Sequence, residues 1–297
     1  MKLDLYCGDA KDILKKIPDE SIDVFLVSPP YGKIRKYHGF SFNADLIFPQ
    51  MVRTLSKGGV ILWNESDQQK GFNLSGETFK HFLKFKELGL LLNQVIIVSK
   101  NACPYPGTYF GQTHEYLGVF SKNGKFKVFQ PLMKPNKQAG KVGKAVSRKG
   151  ENELLVKTGK TYTIKPFGKL GSVWGPYEIG GGKQYEPGLK LKHPGIMNLK
   201  LAVDCLKVWA DKDSTVADIC LGSGSTLVAA KMLGCKRGIG IDVSQDYINQ
   251  ARERINRTQL LPTLATVPST PNQPAARPRL PSPEEARQVA ALIRPYQ

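Results

Sequence analysis

The sequence has few cysteines, and none of them are paired in a recognisable pattern. Structural zinc sites and disulfide frameworks both need clustered cysteines, typically C-x-x-C pairs, and no such pair occurs in the 297 residues. The sequence therefore indicates neither kind of site, and we expect reduced thiols at all five positions. These are Cys7, Cys103, Cys205, Cys220 and Cys235.

Long apolar runs are missing as well. No apolar stretch approaches the roughly 20 residues that a membrane-spanning helix requires. The first ten residues, MKLDLYCGDA, lack the uninterrupted apolar region of a signal peptide. Hydrophobic residues make up 41% of the chain, an ordinary share for a folded globular protein. We therefore expect a folded, cytoplasmic protein.

Acidic residues are scarce relative to basic ones. Asp and Glu number 25 against 43 Lys and Arg, so the formal net charge is +18. Between Ser121 and Lys192, sixteen Lys or Arg accompany four Glu and no Asp. We interpret 121–192 as loops and short strands forming a basic surface for a polyanion, which leaves ribosomal, nucleic-acid and anionic-membrane partners open. A solvated basic face over a minor aromatic core is the alternative. The aromatics concerned are Tyr162, Phe167, Trp174, Tyr177 and Tyr185.

Strand-like and helix-like patterns alternate on both sides of this basic segment. Apolar runs such as KLDLYC, IDVFLV and GIGIDV are separated by amphipathic stretches. The alternation predicts an α/β fold with a doubly wound, mostly parallel sheet covered on both faces. We therefore predict that residues 1–120 and 193–258 are two halves of one sheet, with 121–192 inserted between them.

The last part of the chain, 259–297, has a different composition. Six prolines between Leu261 and Pro281 predict an extended linker. Ser282, Pro283 and Glu285 then form a capping-box start, which predicts one short C-terminal helix.

The strand-like run IDVFLV ends in Ser28-Pro29-Pro30-Tyr31. Two successive prolines permit neither helix continuation nor strand pairing, so they predict a rigid, extended turn.

A glycine-containing loop follows the strand-like run STVADIC. Asp218 ends the strand, Gly222 and Gly224 lie in the turn, and Thr226 begins a helix. Glycines in such a turn let the backbone approach a ligand without a Cβ clash. No Gly-Lys-Ser/Thr ending follows, which excludes a Walker loop. Leu227 stands where a dinucleotide fingerprint needs its third glycine.

These absences leave S-adenosylmethionine as the cofactor that fits best, because it needs close backbone approach but no pyrophosphate cradle. Asp242, at the end of the next strand-like run, lies eighteen residues after Gly224. That spacing suits a carboxylate that accepts hydrogen bonds from ribose hydroxyls. An ordinary strand-to-helix turn with a capping aspartate is the alternative, and the loop alone does not decide between them.

Four motifs, in their order along the chain, resemble the β class of DNA amino-methyltransferases. They are GDAKDILKKIPDESIDVFLVSPPYG, HEYLGVFSK, KHPGIMNLKLAVDCL and ADICLGSGSTLVAAKMLGCKRGIGIDVSQDYINQARERI, spanning about residues 1–257. In that class an S/D-P-P-Y motif precedes a target-recognition region, and the cofactor loop comes last. The resemblance implies a Rossmann-like S-adenosylmethionine methyltransferase fold, with 121–192 as the target-recognition region and double-stranded DNA as the partner.

The resemblance also implies roles in cofactor binding. Asp9 in GDA matches the family's carboxylate near the adenine, and Asp242 matches the carboxylate at the ribose. The family commonly reads Asp-Pro-Phe-x-Gly-x-Gly-Thr-Thr where this chain reads DICLGSGST, so Cys220 takes the place of an apolar phenylalanine. Asn198 in HPGIMN stands where the family often has a second proline. The loop around the methionine portion corresponds to Asp218, Cys220, Gly222, Gly224 and Thr226.

The S-P-P-Y turn then has a chemical interpretation. An exocyclic amine of a base is a poor nucleophile because its lone pair is delocalised into the ring. The Ser28 oxygen and the Pro29 carbonyl, fixed by Pro30, would accept hydrogen bonds from the two N–H groups and localise that pair. Tyr31 would stack on the target base, extruded from the duplex.

The basic residues after Tyr31 are expected to bind phosphates around the extruded nucleotide. A solvated loop is the alternative. The residues are Lys33, Arg35, Lys36 and His38.

Serine at the first motif position is associated in this family with N4 of cytosine, and aspartate with N6 of adenine. We therefore expect N4-cytosine, with N6-adenine as the alternative. Cys103 precedes Pro104, and no Pro-Cys dipeptide occurs, which excludes the thiolate chemistry of cytosine C5 methylation. Methylation of RNA or protein, and a non-enzymatic DNA-binding module, are the other candidates. A cognate restriction endonuclease and the choice between monomer and homodimer stay open.

Overall fold

The computed structural model describes residues 1–30, 42–70, 73–101, 111–149, 154–177 and 195–260. The strands are β1 (Lys2–Cys7), β2 (Ile22–Val27), β3 (Leu55–Glu65), β4 (Gln69–Lys70), β5 (Asn73–Leu74), β6 (Leu91–Lys100), β7 (His114–Ser121), β8 (Met133–Pro135), β9 (Val142–Lys149), β10 (Leu154–Thr163), β11 (Phe167–Lys169), β12 (Val173–Tyr177), β13 (Thr215–Asp218) and β14 (Arg237–Asp242). The helices are α1 (Ala10–Ile13), α2 (Ala44–Thr54), α3 (Glu77–Glu87), α4 (Leu199–Trp209), α5 (Ser225–Met232) and α6 (Gln245–Arg257), with a 3₁₀ turn at Leu14–Lys16. No helix within these ranges is long and apolar enough to cross a membrane.

Eight strands form the central sheet in the order β1-β14-β13-β2-β3-β7-β6-β12. Neighbouring strands are parallel except at β7, which is antiparallel to both β3 and β6. The carboxyl ends of the other seven strands therefore lie along one edge of the sheet. The predicted doubly wound, mostly parallel α/β fold is confirmed.

Both faces of the sheet are covered, which explains the continuous apolar runs of its central strands. Side chains alternate between the two faces. In β2, Val24 and Leu26 pack in the core formed with α4, α5 and α6, whereas Phe25 and Val27 pack in the core formed with α1, α2 and α3. All four are at most 1% exposed. The two cores fix the sheet, and the loops at its carboxyl edge then position the polar side chains.

Helix α4 begins at the position where the sequence departs from the family pattern. The Asn198 side chain caps the helix, since its Oδ1 accepts a hydrogen bond from Leu201 N at 3.2 Å. Asparagine is a favoured N-cap residue, so the helix begins here without the second proline of the family pattern.

The end of the basic segment belongs to the central sheet. Strand β12 pairs in parallel with β6, and Trp174 and Tyr177 are only 5% and 4% exposed. Trp174 stacks on Trp209 of α4, with ring centroids 5.8 Å apart. These two aromatics are therefore core residues, whereas Tyr162 is 54% exposed. The sequence VWGPY did not reveal a sheet strand because its glycine and proline are typical of loops.

Candidate active site

The loops after β2 and β13 lie side by side at the carboxyl edge of the sheet. Strands β13 and β2 are adjacent, but the chain continues from β13 toward β14 and from β2 toward β3, in opposite directions. Such a reversal leaves a crevice at the strand ends, where open α/β sheets bind ligands. Ser28–Pro30 flank this crevice on one side, and the glycine loop 219–224 flanks it on the other.

A buried threonine links the two loops. Thr226, in the first turn of α5, is 1% exposed, and its Oγ1 donates a hydrogen bond to Leu26 O at 3.2 Å. Leu26 lies two residues before Ser28. The Asp218 carboxylate is the alternative acceptor for the single proton of the Thr226 hydroxyl. Thr226, predicted to contact the cofactor, thus holds the cofactor loop against the strand that carries the S-P-P-Y turn.

The two loop glycines adopt backbone conformations that favour glycine. Gly222 has φ of 49° and Gly224 has φ of 82°, both in the left-handed region. A Cβ on Gly224 would lie 2.9 Å from the Cβ of Ala251 on α6, so the loop also packs too tightly there for a side chain.

Asp242 holds the glycine loop from the neighbouring strand end. Its Oδ2 accepts a hydrogen bond from Gly222 N at 2.8 Å, and its Oδ1 accepts one from Ser244 N at 2.9 Å. Burial raises the pKa of Asp242, and these backbone N–H groups counter the increase. Each carboxylate oxygen keeps a second lone pair, so the residue can still accept from a ligand hydroxyl.

Asp218 is the most strongly perturbed carboxylate of the crevice. It is 4% exposed, and Cys220 N donates to its Oδ1 at 3.0 Å. Burial raises the pKa of Asp218 to about 7, and the charge of Asp242 contributes in the same direction. Asp218 therefore changes charge near neutral pH.

Asp9 lies at the end of the adjoining strand β1. Gly8 N donates to Asp242 O at 2.9 Å, which fastens this turn to the end of β14. Asp9 caps α1 and forms an ion pair with Lys11 Nζ at 2.8 Å. Burial alone would raise the pKa of Asp9, but the hydrogen bonds from Lys11 outweigh it and lower the pKa.

Four carboxylates act electrostatically on Cys220. Burial raises the pKa of the Cys220 thiol well above its usual range, and the charges of Asp218, Asp242, Glu65 and Asp9 raise it further. Asp9 pairs with Lys11, and Glu65 is hydrogen-bonded to His81. Asp218 and Asp242 therefore contribute most to the negative charge near Cys220.

The sequence did not reveal the role of Arg254, which is 1% exposed. Its Nη1 donates to Ser223 O at 2.9 Å and to the hydroxyls of Ser223 and Ser225, each at 3.1 Å. Ser225 in turn donates to Met197 O at 2.9 Å. The available signal was periodicity, since Arg254 lies on the helix face that also buries Tyr247 and Ala251.

A buried polar chain lies on the other side of the S-P-P-Y turn, and the sequence did not reveal it either. Asn64 is 1% exposed, and its Nδ2 donates to Glu115 Oε2 at 2.8 Å. Lys100 Nζ pairs with the other oxygen of Glu115. Glu115 on β7 thus has a partner on each adjacent strand, Asn64 on β3 and Lys100 on β6.

Ser28, Pro29 and Pro30 are at least partly buried at the end of β2. The remaining predicted residues of this motif, Tyr31, Lys33, Arg35, Lys36 and His38, lie outside the described residues. Their roles stay predictions.

Comparisons with known proteins identify the family. The sequence profile of the DNA methylase family of N6 and N4 methyltransferases matches residues 22–253. The chain is 33% identical over 253 residues to the orphan methyltransferase M.BamHII of Bacillus amyloliquefaciens, covering 83% of this chain and 93% of that one.

Two solved structures are similar in fold. PvuII DNA methyltransferase (cytosine-N4-specific) gives a TM-score of 0.60 with 15% identity, covering 86% of each chain. A putative DNA modification methylase from Thermus thermophilus, complexed with S-adenosyl-L-methionine, gives a TM-score of 0.58 with 22% identity, covering 86% of this chain and 93% of that one.

The chain belongs to the DNA methylase family of N6 and N4 amino-methyltransferases. It is an enzyme that modifies DNA and uses S-adenosylmethionine. The alternative prediction of a non-enzymatic DNA-binding module is therefore wrong. The crevice suits this cofactor. S-adenosylmethionine carries a sulfonium, an ammonium and one carboxylate, so its net charge is positive. The acidic surroundings of Cys220 favour such a charge.

Proposed function

We propose that this enzyme methylates N4 of cytosine at a specific site in duplex DNA, acting on a base extruded from the helix. Ser28 carries the proposal. It begins the S-P-P-Y motif at the end of β2, and β2 is bonded through Leu26 to the helix that follows the cofactor loop. Serine at this position is associated in the family with N4 of cytosine.

The proposed chemistry of the turn depends on fixed acceptors. Ser28 Oγ and the Pro29 carbonyl accept hydrogen bonds from the two N–H groups of the target amine and localise its lone pair. Pro30 restricts the backbone that carries the carbonyl. Tyr31 stacks on the extruded base, and the cations at 33, 35, 36 and 38 bind flanking phosphates.

The residues proposed to contact the cofactor lie at the carboxyl ends of neighbouring strands. Asp242 accepts from the ribose hydroxyls, Asp9 lies near the adenine, and Asp218 with the glycine loop faces the methionine portion. When bound, the cofactor supplies an electrophilic methyl group. Support comes from the position of these residues at the carboxyl ends of β1, β14 and β13, next to the crevice, and from the carboxylates that act electrostatically on Cys220.

N6 of adenine is the second candidate, because a neutral hydroxyl accepts a hydrogen bond from either amine. The PvuII enzyme, named for cytosine-N4 specificity, shares the fold with this chain. M.BamHII is called an orphan methyltransferase. A cognate endonuclease, the oligomeric state and a cytoplasmic location stay predictions for this chain.

The test is methyl transfer from labelled S-adenosylmethionine to long mixed-sequence duplex DNA, followed by nucleoside digestion and identification of the labelled product. We expect N4-methylcytosine. N6-methyladenine would overturn the base assignment and keep the enzyme class. Label transferred to structured RNA and not to duplex DNA at the same salt concentration would overturn the proposed substrate.

A further inference from the structure

A row of polar side chains crosses four neighbouring strands at the edge of the sheet that holds the S-P-P-Y turn. Strands β2, β3, β7 and β6 lie side by side in that order. At or just past its end, each strand has a polar residue two positions away from an apolar residue of the core formed with α4, α5 and α6. Because side chains alternate between the two faces of a strand, the polar side chains share the face of those apolar residues. They are Ser28, Asn64, Glu115 and Lys100, next to Leu26, Leu62, Leu117 and Val98 respectively.

Glu115 lies at the centre of this row and is 7% exposed. One carboxylate oxygen, Oε2, accepts a hydrogen bond from Asn64 Nδ2 on β3 at 2.8 Å. The other oxygen, Oε1, pairs with Lys100 Nζ on β6. Lys100 therefore compensates the charge of the carboxylate, and each of the two strands beside β7 contributes one donor to it.

The stability of the fold does not account for an ion pair at this position. Burying a carboxylate costs desolvation free energy, and well-packed apolar residues of similar volume often give equal or greater stability. The same face of the same strands is apolar one pair of residues further in, where Leu62, Leu117 and Val98 are fully buried. The polar row therefore points to a role in the reaction at this edge of the sheet.

Glu115 fixes the orientation of the Asn64 amide. A carboxylate only accepts hydrogen bonds, so the amide presents Nδ2 to Glu115, and its oxygen lies on the side away from β7. The strand on that side is β2, whose pairing with β3 places Val27 opposite Trp63. The next residues along the two strands are Ser28 and Asn64, so the amide oxygen lies toward the strand that carries the S-P-P-Y turn.

We infer that Glu115 and Lys100 are positioning residues for Ser28 and act on it through Asn64. The inference deepens the proposed function and rests on it, since it requires Ser28 Oγ to accept a hydrogen bond from the target amine. A hydroxyl has one proton, and Asn64 Oδ1 accepts the hydrogen bond from it, which leaves the Ser28 lone pairs for the amine. With the amide reversed, Nδ2 would donate to Ser28, and the serine proton would compete with the N–H of the amine for the same position.

Glu115→Gln tests whether the carboxylate sets this orientation. Glutamine keeps the shape of glutamate, but its amide can present either a donor or an acceptor to Asn64, so the orientation of Asn64 is no longer fixed. We expect single-turnover methyl transfer to duplex DNA at saturating substrate to slow roughly fivefold. The dissociation constant of S-adenosylmethionine, measured by calorimetry, and the DNA concentration that gives half the maximal rate should both stay unchanged.

A double-mutant cycle shows whether the effect is transmitted by Asn64. In the Asn64→Ala background there is no amide to orient, so adding Glu115→Gln should not slow methyl transfer further. A residue that only supports the fold would instead lower the rate by the same factor in both backgrounds.

Lys100 variants separate orientation from stability. Lys100→Met leaves Glu115 buried without its cation, so the thermal midpoint should fall. Lys100→Met/Glu115→Gln removes both charges, so the midpoint should recover while the transfer rate stays as low as that of Glu115→Gln. Lys122→Met is the matched control, because Lys122 pairs with Glu20 just past the other end of β7 and its side chain is 23% exposed, against 28% for Lys100. This control should transfer methyl groups at the wild-type rate.

Three results would overturn the inference. The first is a wild-type transfer rate for Glu115→Gln, and the second is an equal loss of rate in the wild-type and Asn64→Ala backgrounds. The third is a rate that recovers together with the midpoint in Lys100→Met/Glu115→Gln. The rates count all transferred label, so an enzyme that makes N6-methyladenine is tested equally well. A wild-type rate for Ser28→Ala would contradict the proposed function, whereas a slow Ser28→Ala protein beside a fast Glu115→Gln protein contradicts only the positioning role.

Discussion

At the residue scale, Ser28 and Asn64 occupy matching positions on neighbouring strands. The pairing of β2 with β3 places Val27 opposite Trp63, so Ser28 and Asn64 come next. The Asn64 Nδ2 donates to Glu115 on β7, the neighbour of β3 on the side opposite β2. This contact directs the amide oxygen of Asn64 away from β7. A serine hydroxyl that accepts a hydrogen bond from the target amine must direct its own proton elsewhere, and Asn64 Oδ1 is the acceptor that we expect.

Asn64→Ala should therefore lower the methyl-transfer rate by roughly tenfold, the value of one lost hydrogen bond, and leave cofactor affinity unchanged. In the Ser28→Asp background the carboxylate has no proton to direct, so the same substitution should cost little. Single-turnover rates of the four proteins, with cofactor binding by calorimetry, check this. Equal losses in both backgrounds would show that Asn64 acts on the fold and not on Ser28.

At the element scale, α6 positions the glycine loop through one buried cation. Arg254 donates three hydrogen bonds to the loop serines, and Ala251 packs against Gly224. The proposed cofactor loop is thus fixed by a helix that comes about thirty residues later in the chain.

Arg254→Met should lower cofactor affinity by at least tenfold and the free energy of unfolding by about 3 kcal/mol, because hydrogen bonds to a buried charged group are lost. Calorimetric titration with S-adenosylmethionine and a denaturant titration measure the two effects. Arg257→Met is the matched control, since Arg257 is 68% exposed one turn further along α6. A folded Arg254→Met protein with wild-type cofactor affinity would contradict the role of Arg254 in positioning the glycine loop.

Most elements were predictable from the sequence, and their contacts were not. Apolar runs such as IDVFLV predicted buried strands, and GSGST predicted a ligand loop. The spacing of Asp242 suggested a ligand carboxylate, but its hydrogen bond to Gly222 depends on β14 lying beside β13, which spacing does not encode. Arg254 was missed because an arginine in a polar helix is normally exposed, although the periodicity places it on the same face as Tyr247 and Ala251. Strand β12 was missed because burial on α4 outweighs its loop-like composition.

At the scale of the whole molecule, charges of opposite sign are separated. Residues 132–170 of the basic segment carry ten Lys or Arg against two Glu and no Asp, whereas Asp218, Asp242 and Asp9 lie at strand ends beside the crevice. The first surface suits a polyanion and the second suits a net-positive cofactor, so one chain can hold both substrates of a methyl transfer. Asp218, with a pKa of about 7, makes the second surface sensitive to pH.

Cofactor affinity should rise as pH increases through about 7. A positive ligand favours ionised Asp218, so binding releases a proton and the dissociation constant falls until the carboxylate is fully ionised. Asp218→Asn should flatten this dependence, and Asp213→Asn, at a 75% exposed side chain, should not. The stability of the cofactor-free protein depends on pH with the opposite sign. The pKa of Asp218 is raised from 3.8 on folding, so its contribution to stability is lost as pH rises toward about 7. Calorimetric titrations between pH 6 and pH 8 test the first expectation, and affinity that falls with pH would contradict it.

We expect Ser28 to act on the reacting amine and not on the fold or the cofactor. The most direct measurement is the comparison of wild-type and Ser28→Ala proteins in two assays, single-turnover methyl transfer to duplex DNA and calorimetric binding of S-adenosylmethionine. We predict a transfer rate lowered by at least tenfold with cofactor affinity nearly unchanged, because one acceptor for the amine is lost. Parallel loss of both would show that the turn is structural, and an unchanged transfer rate would remove Ser28 from the chemistry.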